Sequence, residues 1–194
     1  MPTFNALGRK IQKVDALKYF IIYHYGGVYA DMDVVVDRCG LDEILYRCQV
    51  MLLGTNPIGF AADFLVATKK NSFLFQLIHN LKAKSTFYGL PIPYLAILFS
   101  TGPIYIALNY DDYPHQEEIC VLMPSLHEES VGSPLTFFSE VEGNSWYEWD
   151  ALLIYYFKKH YILITLALLS FLFLLRYFYQ IRLHSLKKDL DRQY

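Results

Sequence analysis

The sequence has 194 residues, 54% of them hydrophobic and 17% aromatic, with 19% charged and a formal net charge of −2. That balance excludes a nucleic-acid binder, which carries a basic excess to meet phosphate, and the 14 Phe and 17 Tyr exclude a disordered chain. A charged share below the roughly 25% of soluble domains, with a mean hydropathy of +0.22, puts part of the chain in lipid and leaves about 150 residues for one folded domain.

In chain order, Asp15 opens a helix, DALKYFIIYHY, whose Ala16, Leu17, Phe20, Ile21 and His24 recur at helical spacing. Gly26 and Gly27 close it as a left-handed cap. VYADMDVVV then reads as strand, acidic interruption and strand. A helix, a glycine turn and a buried strand ending in carboxylates predict a layered α/β domain with its ligand near strand ends. Residues 41–46 read as a short helix and 49–53 as a strand. NSFLFQLIHNL, residues 71–81, is an amphipathic helix capped by Asn71 or Ser72. Pro91 and Pro93 break the chain, residues 100–103 begin a turn, and IYIALNY is a helix starting beside Pro103. Between residues 111 and 141 only 119–123 read as strand.

Cys39, Cys48 and Cys120 lack metal-type spacing. A Cys39–Cys48 bridge in an oxidising lumen and free buried thiols are the two readings. His24, His79, His115 and His127 lack ligand-type spacing and read as core or surface residues.

Residues 161–175, YILITLALLSFLFLL, carry no charge, and Tyr177, Phe178 and Tyr179 extend the apolar run past Arg176. At about 1.5 Å per residue a helix over 155–179 crosses a core of about 30 Å, with Lys158, Lys159 and Arg176 snorkelling at its ends. A buried core helix is the competing reading, but no polar face interrupts the run. Basic residues Arg176, Arg182, Lys187, Lys188 and Arg192 follow the run, against Lys158 and Lys159 before it. This bias puts the tail, residues 180–194, in the cytosol and the domain, residues 1–154, in a lumen. Leu183, Leu186 and Leu190 give the tail helical spacing, either for lying along the membrane surface or as a solvated end.

The most informative residues are Asp31 and Asp33 of YADMD. In extended backbone, residues two apart face the same side, so both carboxylates point into one space and repel one another. A hard divalent cation relieves that repulsion, and Mg²⁺ takes one or two carboxylates together with substrate phosphates. A metal-bridged diphosphate is the expected guest. In a sugar nucleotide that diphosphate is the leaving group, whose developing charge the cation stabilises.

The block DALKYFIIYHYGGVYADMDVVVD, residues 15–37, closely resembles the DXD-containing sugar-binding region of glycosyltransferases of the initiation-specific mannosyltransferase type. Within that superfamily it is most similar to fungal inositol phosphorylceramide mannosyltransferases, which make mannosylated sphingolipids in the Golgi. PTF at 2–4, STGP at 100–103 and GNSW at 143–146, followed by Asp150 and an apolar helix, extend the resemblance over nearly all of the chain before the tail.

The resemblance implies an α/β, GT-A type nucleotide-diphospho-sugar transferase fold, a divalent cofactor (Mn²⁺ or Mg²⁺) and retention of anomeric configuration. Members begin with a membrane anchor and a strand, helix and strand that hold the nucleobase, so this chain is expected to lack its N-terminal nucleotide-binding half. Carried over, Asp31 and Asp33 are the catalytic, metal-binding pair, Asp33 directly and Asp31 through water or the donor's ribose. Asp15 and Lys18 match an Asp-x-x-Arg that grips the donor sugar, with Lys in place of Arg removing bidentate recognition.

Gly27, Tyr29, Ser145, Trp146 and Asp150 complete the expected donor-binding set, although core packing reads equally well for Tyr29 and Trp146. Tyr147 stands where the family has a His. The partners implied are GDP-mannose, an inositol phosphorylceramide or glycosphingolipid acceptor, the Golgi membrane and no nucleic acid. The alternative is a truncated or inactive paralogue acting as a regulatory subunit of a membrane transferase.

Overall fold

The computed structural model describes residues 2–36, 46–56, 58–83, 87, 89–126, 137–140 and 149–190. The chain forms two units, Met1–Tyr147 and Glu148–Tyr194. The first is mixed α/β. Its helices are α1 (Pro2–Ala6), α2 (Lys10–Tyr25), α3 (Ser72–Asn80), α4 (Pro93–Ser100) and α5 (Pro103–Asp111). Its strands are β1 (Gly27–Ala30), β2 (Val34–Val36), β3 (Val50–Leu53), β4 (Phe64–Ala67), β5 (Ile119–Leu122) and β6 (Phe138–Glu140). One sheet runs β1-β4-β3-β5, antiparallel except for the parallel β3–β5 pair, while β2 and β6 form a separate antiparallel ribbon.

Strand alternation divides the core. Val50 and Leu52 of β3 pack with Leu65, Ala67 and the inner faces of α2, α3 and α5, whereas Met51 and Leu53 turn to the opposite face with Phe64, Leu122 and Phe138. The Phe64 and Phe138 rings lie 4.3 Å apart between centroids, so β6 covers that second face.

α2 departs from the sequence expectation in start and in facing. It begins at Lys10, because the Arg9 N–H donates to Gln12 Oε1 at 3.1 Å, Gln12 closing the first turn as the N3 residue of a capping box does. Asp15, the expected opening residue, instead lies mid-helix and buried. The expected apolar stripe is split: Leu17 is 47% and Ile21 41% exposed and His24 is exposed too, whereas Ala16 is buried and Phe20 packs against the core, and Gln12, Asp15, Lys18, Tyr19 and Ile22 are buried beside them. The helix ends at Gly26, with φ +70° and ψ −175° rather than the left-handed helical values expected. A Cβ there would lie 2.7 Å from the Lys69 backbone N, so only glycine fits this crossing.

Among the described residues β1 is an exposed edge strand, not the buried strand the sequence predicts, since its one partner there is β4 and Val28 is 54% exposed. β3, α3, α5 and β5 appear where the pattern puts them. Asn71 is the α3 cap, its Oδ1 accepting from the N–H of Phe73 at 2.9 Å and of Leu74 at 3.4 Å. Pro93 starts a helix rather than only breaking the chain, because in the first turn its missing N–H costs no hydrogen bond. Cys48 is bonded to Cys120 across the parallel β3–β5 pair, with Cα atoms 5.6 Å apart, and not to Cys39. The expected short helix falls mainly on 37–45, outside the described residues.

The second unit is α6 (Trp149–Leu190), helical throughout except at His160 (φ −114°, ψ 15°), where it kinks. Trp149–Gln180 is long and apolar enough to cross a membrane. Residues 161–179 rise about 28 Å at 1.5 Å each. The aliphatic hydroxyls among them are satisfied within the helix, Thr165 Oγ1 donating to the Tyr161 carbonyl and Ser170 Oγ to the Leu166 carbonyl, both at 2.8 Å.

Candidate functional site

The Val34 N–H donates to the Asp31 carbonyl at 3.1 Å, closing a turn over Met32 and Asp33 between β1 and β2. The acidic pair therefore sits in a turn, not in the extended backbone its spacing predicts, and period-two alternation does not aim the two carboxylates. The β1–β4 register, Ala30 opposite Phe64, carries on by one residue to set Asp31 opposite Asp63, whose carbonyl accepts the Asp31 N–H at 2.7 Å.

Both oxygens of Asp31 are engaged. Oδ2 accepts from Lys18 Nζ at 3.0 Å, and Oδ1 accepts from the Tyr29 hydroxyl at 2.5 Å. Lys18 also donates to the Ala62 carbonyl at 3.0 Å, lies 3.4 Å from Asp15 Oδ1, and stands 5.0 Å over the Tyr29 ring. Three oxygens around one ammonium equal its three N–H donors in number. Behind it, Thr101 Oγ1 donates to Asp15 Oδ2 at 3.1 Å, the Tyr19 hydroxyl donates to the Thr101 carbonyl, and Gln12 Nε2 donates to Ser100 Oγ at 2.8 Å. The polar residues of α2 are buried because these partners await them.

Burial pushes the Asp15 carboxyl up from its ordinary 3.8 to about 6, with the Lys18 charge and the Thr101 hydrogen bond pulling the other way. Burial, the bond to Asp31 and the charges of Asp31, Asp15 and Asp33 push the Tyr29 phenol up, so it stays a hydrogen-bond donor. Those contributions also place all three carboxylates within electrostatic reach of one hydroxyl. Asp33 is half-buried, and neither a hydrogen bond nor an ion pair engages its carboxylate among the described residues.

This donor set fits a divalent cation held jointly with a ligand. Among the described residues no three His, Cys, Asp or Glu side chains form a cage of their own. Asp33 offers an open carboxylate, and Asp63 Oδ1 is buried with no hydrogen-bond partner among the described residues. Mg²⁺ and similar ions are bound through one or two carboxylates, with phosphates and water completing the shell.

Of the expected site residues, the fold brings Asp15, Lys18, Tyr29, Asp31 and Asp33 together. Gly27 lies at the other end of β1, roughly 13 Å away by strand rise. Ser145 and Trp146, with Gly143, Asn144 and Tyr147, lie outside the described residues. Asp150 is buried in the first turn of α6. The sequence reading missed Thr101, the Ala62 carbonyl and Asp63. Thr101 was signalled by the STGP block without a role; the other two become visible only from the strand register.

Residues 1–51 match the family model described as glycosyltransferase sugar-binding region containing DXD motif. This segment is similar to a DXD-type sugar-binding region. Asp15, Lys18, Tyr29, Asp31 and Asp33 all fall inside it. Inositol phosphoceramide mannosyltransferase 1 of Schizosaccharomyces pombe is 39% identical over 154 residues, covering 78% of this chain and 46% of the relative. Inositol phosphoceramide mannosyltransferase 2 of the same yeast is 32% identical over 189 residues, 92% of this chain and 52% of the relative. Mannosyl phosphorylinositol ceramide synthase SUR1 of Saccharomyces cerevisiae is 31% identical over 165 residues, 82% of this chain and 41% of the relative. The chain spans about half the length of the curated relatives it matches.

Proposed function

We propose that the chain belongs to a metal-dependent, retaining glycosyltransferase of GT-A type that moves mannose from GDP-mannose to an inositol phosphorylceramide. The observation that carries this reading is the Asp15–Lys18–Asp31 network beside the open Asp33 carboxylate, inside the segment that matches the sugar-binding family. The names of the yeast relatives support the sugar and the acceptor.

In this reading Asp33 ligates the cation, and Asp31, already engaged by Lys18 and Tyr29, acts through water or the donor's ribose. Asp15 and Lys18, buried with their polar atoms engaged inside the network, brace the Asp31 carboxylate from behind, and Tyr29, kept protonated, fixes it from the other oxygen. A bound Mn²⁺ or Mg²⁺ supplies charge stabilisation to the departing diphosphate. The apolar helix, read as a span over 155–179 with residues 180–194 as a cytosolic tail, keeps the domain beside an acceptor that stays in the bilayer. The Cys48–Cys120 disulfide supports an oxidising lumen for that domain, and we assign it to the Golgi.

The test is binding and turnover by the full chain in lipid nanodiscs carrying inositol phosphorylceramide. GDP-mannose is expected to bind with Mn²⁺ present and to yield a mannosylated lipid, and Asp33→Asn to lose the metal-dependent binding while its circular dichroism is unchanged. Equal binding with and without Mn²⁺ would overturn the metal role. Donor binding without turnover, together with co-purification of a full-length transferase, would favour the regulatory-subunit reading, to which Lys18 in the Arg position lends weight.

A further inference from the structure

We propose that Thr101 is a positioning residue of the donor site: through Asp15 it sets where the Lys18 ammonium sits and so holds the Asp31 carboxylate in place. This rests on the donor-site reading above for its functional consequence, though not for its geometry.

Thr101 is fully buried, and its polar groups are all fixed. Its N–H donates to the Ile97 carbonyl at 3.1 Å at the end of α4, its carbonyl accepts from Tyr19, and its hydroxyl donates to Asp15 Oδ2 at 3.1 Å. The hydroxyl thus holds Asp15 Oδ2 on its own side, and Lys18 meets Asp15 through Oδ1, at 3.4 Å, while Asp31 holds the same ammonium more closely, at 3.0 Å.

Two carboxylates compete for one cation, and Thr101 handicaps the buried one. A carboxyl group turns easily about its terminal torsion. Without the hydroxyl, Asp15 is free to turn both oxygens toward Lys18 and draw the ammonium away from Asp31, since a buried carboxylate left short of a donor takes the nearest one. Asp31 would then keep only Tyr29.

Ser100 provides the internal control. It is equally buried in the same turn and bonds α2 through Gln12, yet its hydroxyl has no bond to Asp15. Loosening the junction between the turn and α2 is common to both positions; moving Lys18 belongs to Thr101 alone.

The experiment uses the full chain in lipid nanodiscs with ¹⁵N-labelled lysine, reading the Lys18 ammonium resonance and the Kd for GDP-mannose with Mn²⁺. Thr101→Val is expected to shift or broaden the Lys18 resonance beyond detection and to raise Kd about tenfold. Ser100→Ala is expected to leave the resonance in place and Kd within about twofold. Thr101→Ser, which keeps the hydroxyl, is expected to retain both signatures, and its contrast with Thr101→Ala repeats the test should the valine variant fail to fold.

An unmoved Lys18 resonance in the hydroxyl-less variants overturns the inference, as does an equal loss in Ser100→Ala. If the wild-type chain binds no GDP-mannose while the resonance still depends on Thr101 and not on Ser100, the positioning stands and the donor reading falls.

Discussion

α2 and α3 are neighbouring helices on one sheet face that follow opposite rules. α3 buries Phe73, Leu74 and Leu77 and exposes Phe75 and His79, with Asn71 capping its start, as amphipathic periodicity predicts. α2 buries Gln12, Asp15 and Lys18 and turns Val14, Leu17, Ile21 and Tyr25 outward. A buried charge is expensive unless paired, so a helix that accepts this arrangement needs its partners in place, and α2 finds them in Asp31, Ala62, Ser100 and Thr101. α3 is built for packing alone, whereas α2 packs through Ala16, Tyr19 and Ile22 and on the same side holds a polar network against β1.

The comparison breaks most visibly at its two centres. Lys18→Met leaves Asp15 buried without its cation and is expected to destabilise the fold by about 3–5 kcal/mol, while Leu77→Ala opens a cavity for about 2–5 kcal/mol. Urea unfolding of both variants, set beside donor binding, separates them: Lys18→Met loses both properties and Leu77→Ala only stability.

A pH series sharpens the contrast. The folded-state pKa of Asp15 is raised, so between about 4 and 6 the folded chain binds more protons than the unfolded one. The contribution of Asp15 to stability therefore falls as pH rises through that window and levels off above it. Asp15→Asn is expected to flatten that fall in a plot of Tm against pH, and a variant of α3 such as Leu77→Ala to leave it intact.

Asn71→Ala removes the α3 cap and is expected to cost about 1 kcal/mol by urea unfolding. The smallest effect belongs to the outward side of α2, where Leu17→Gln is expected to stay within about 0.5 kcal/mol of wild type. A larger loss would mean that this face is covered rather than exposed.

The same contrast explains what could be read in advance. α3, α5, β3 and β5 were legible because their apolar residues face the core and their ends carry Asn71 or Pro103 as local signals. α2 misled because a helix-start reading of Asp15 and an apolar-stripe reading of Leu17 and Ile21 both assume that charge lies outside. Five of the expected site residues come together in the fold, and block resemblance singled them out independently of which face is buried. Asp63 and the Ala62 carbonyl were not legible, since they reach the site through cross-strand register, and Cys48–Cys120 joins positions 72 residues apart that no local pattern connects.

That disulfide has a practical consequence. Its two cysteines bracket β3, β4, α3, α4 and α5, and with them Asp63 and Thr101. A single backbone cut anywhere inside that loop releases no fragment. The severed pieces travel as one species on a non-reducing gel and come apart only when a thiol reductant opens the bond.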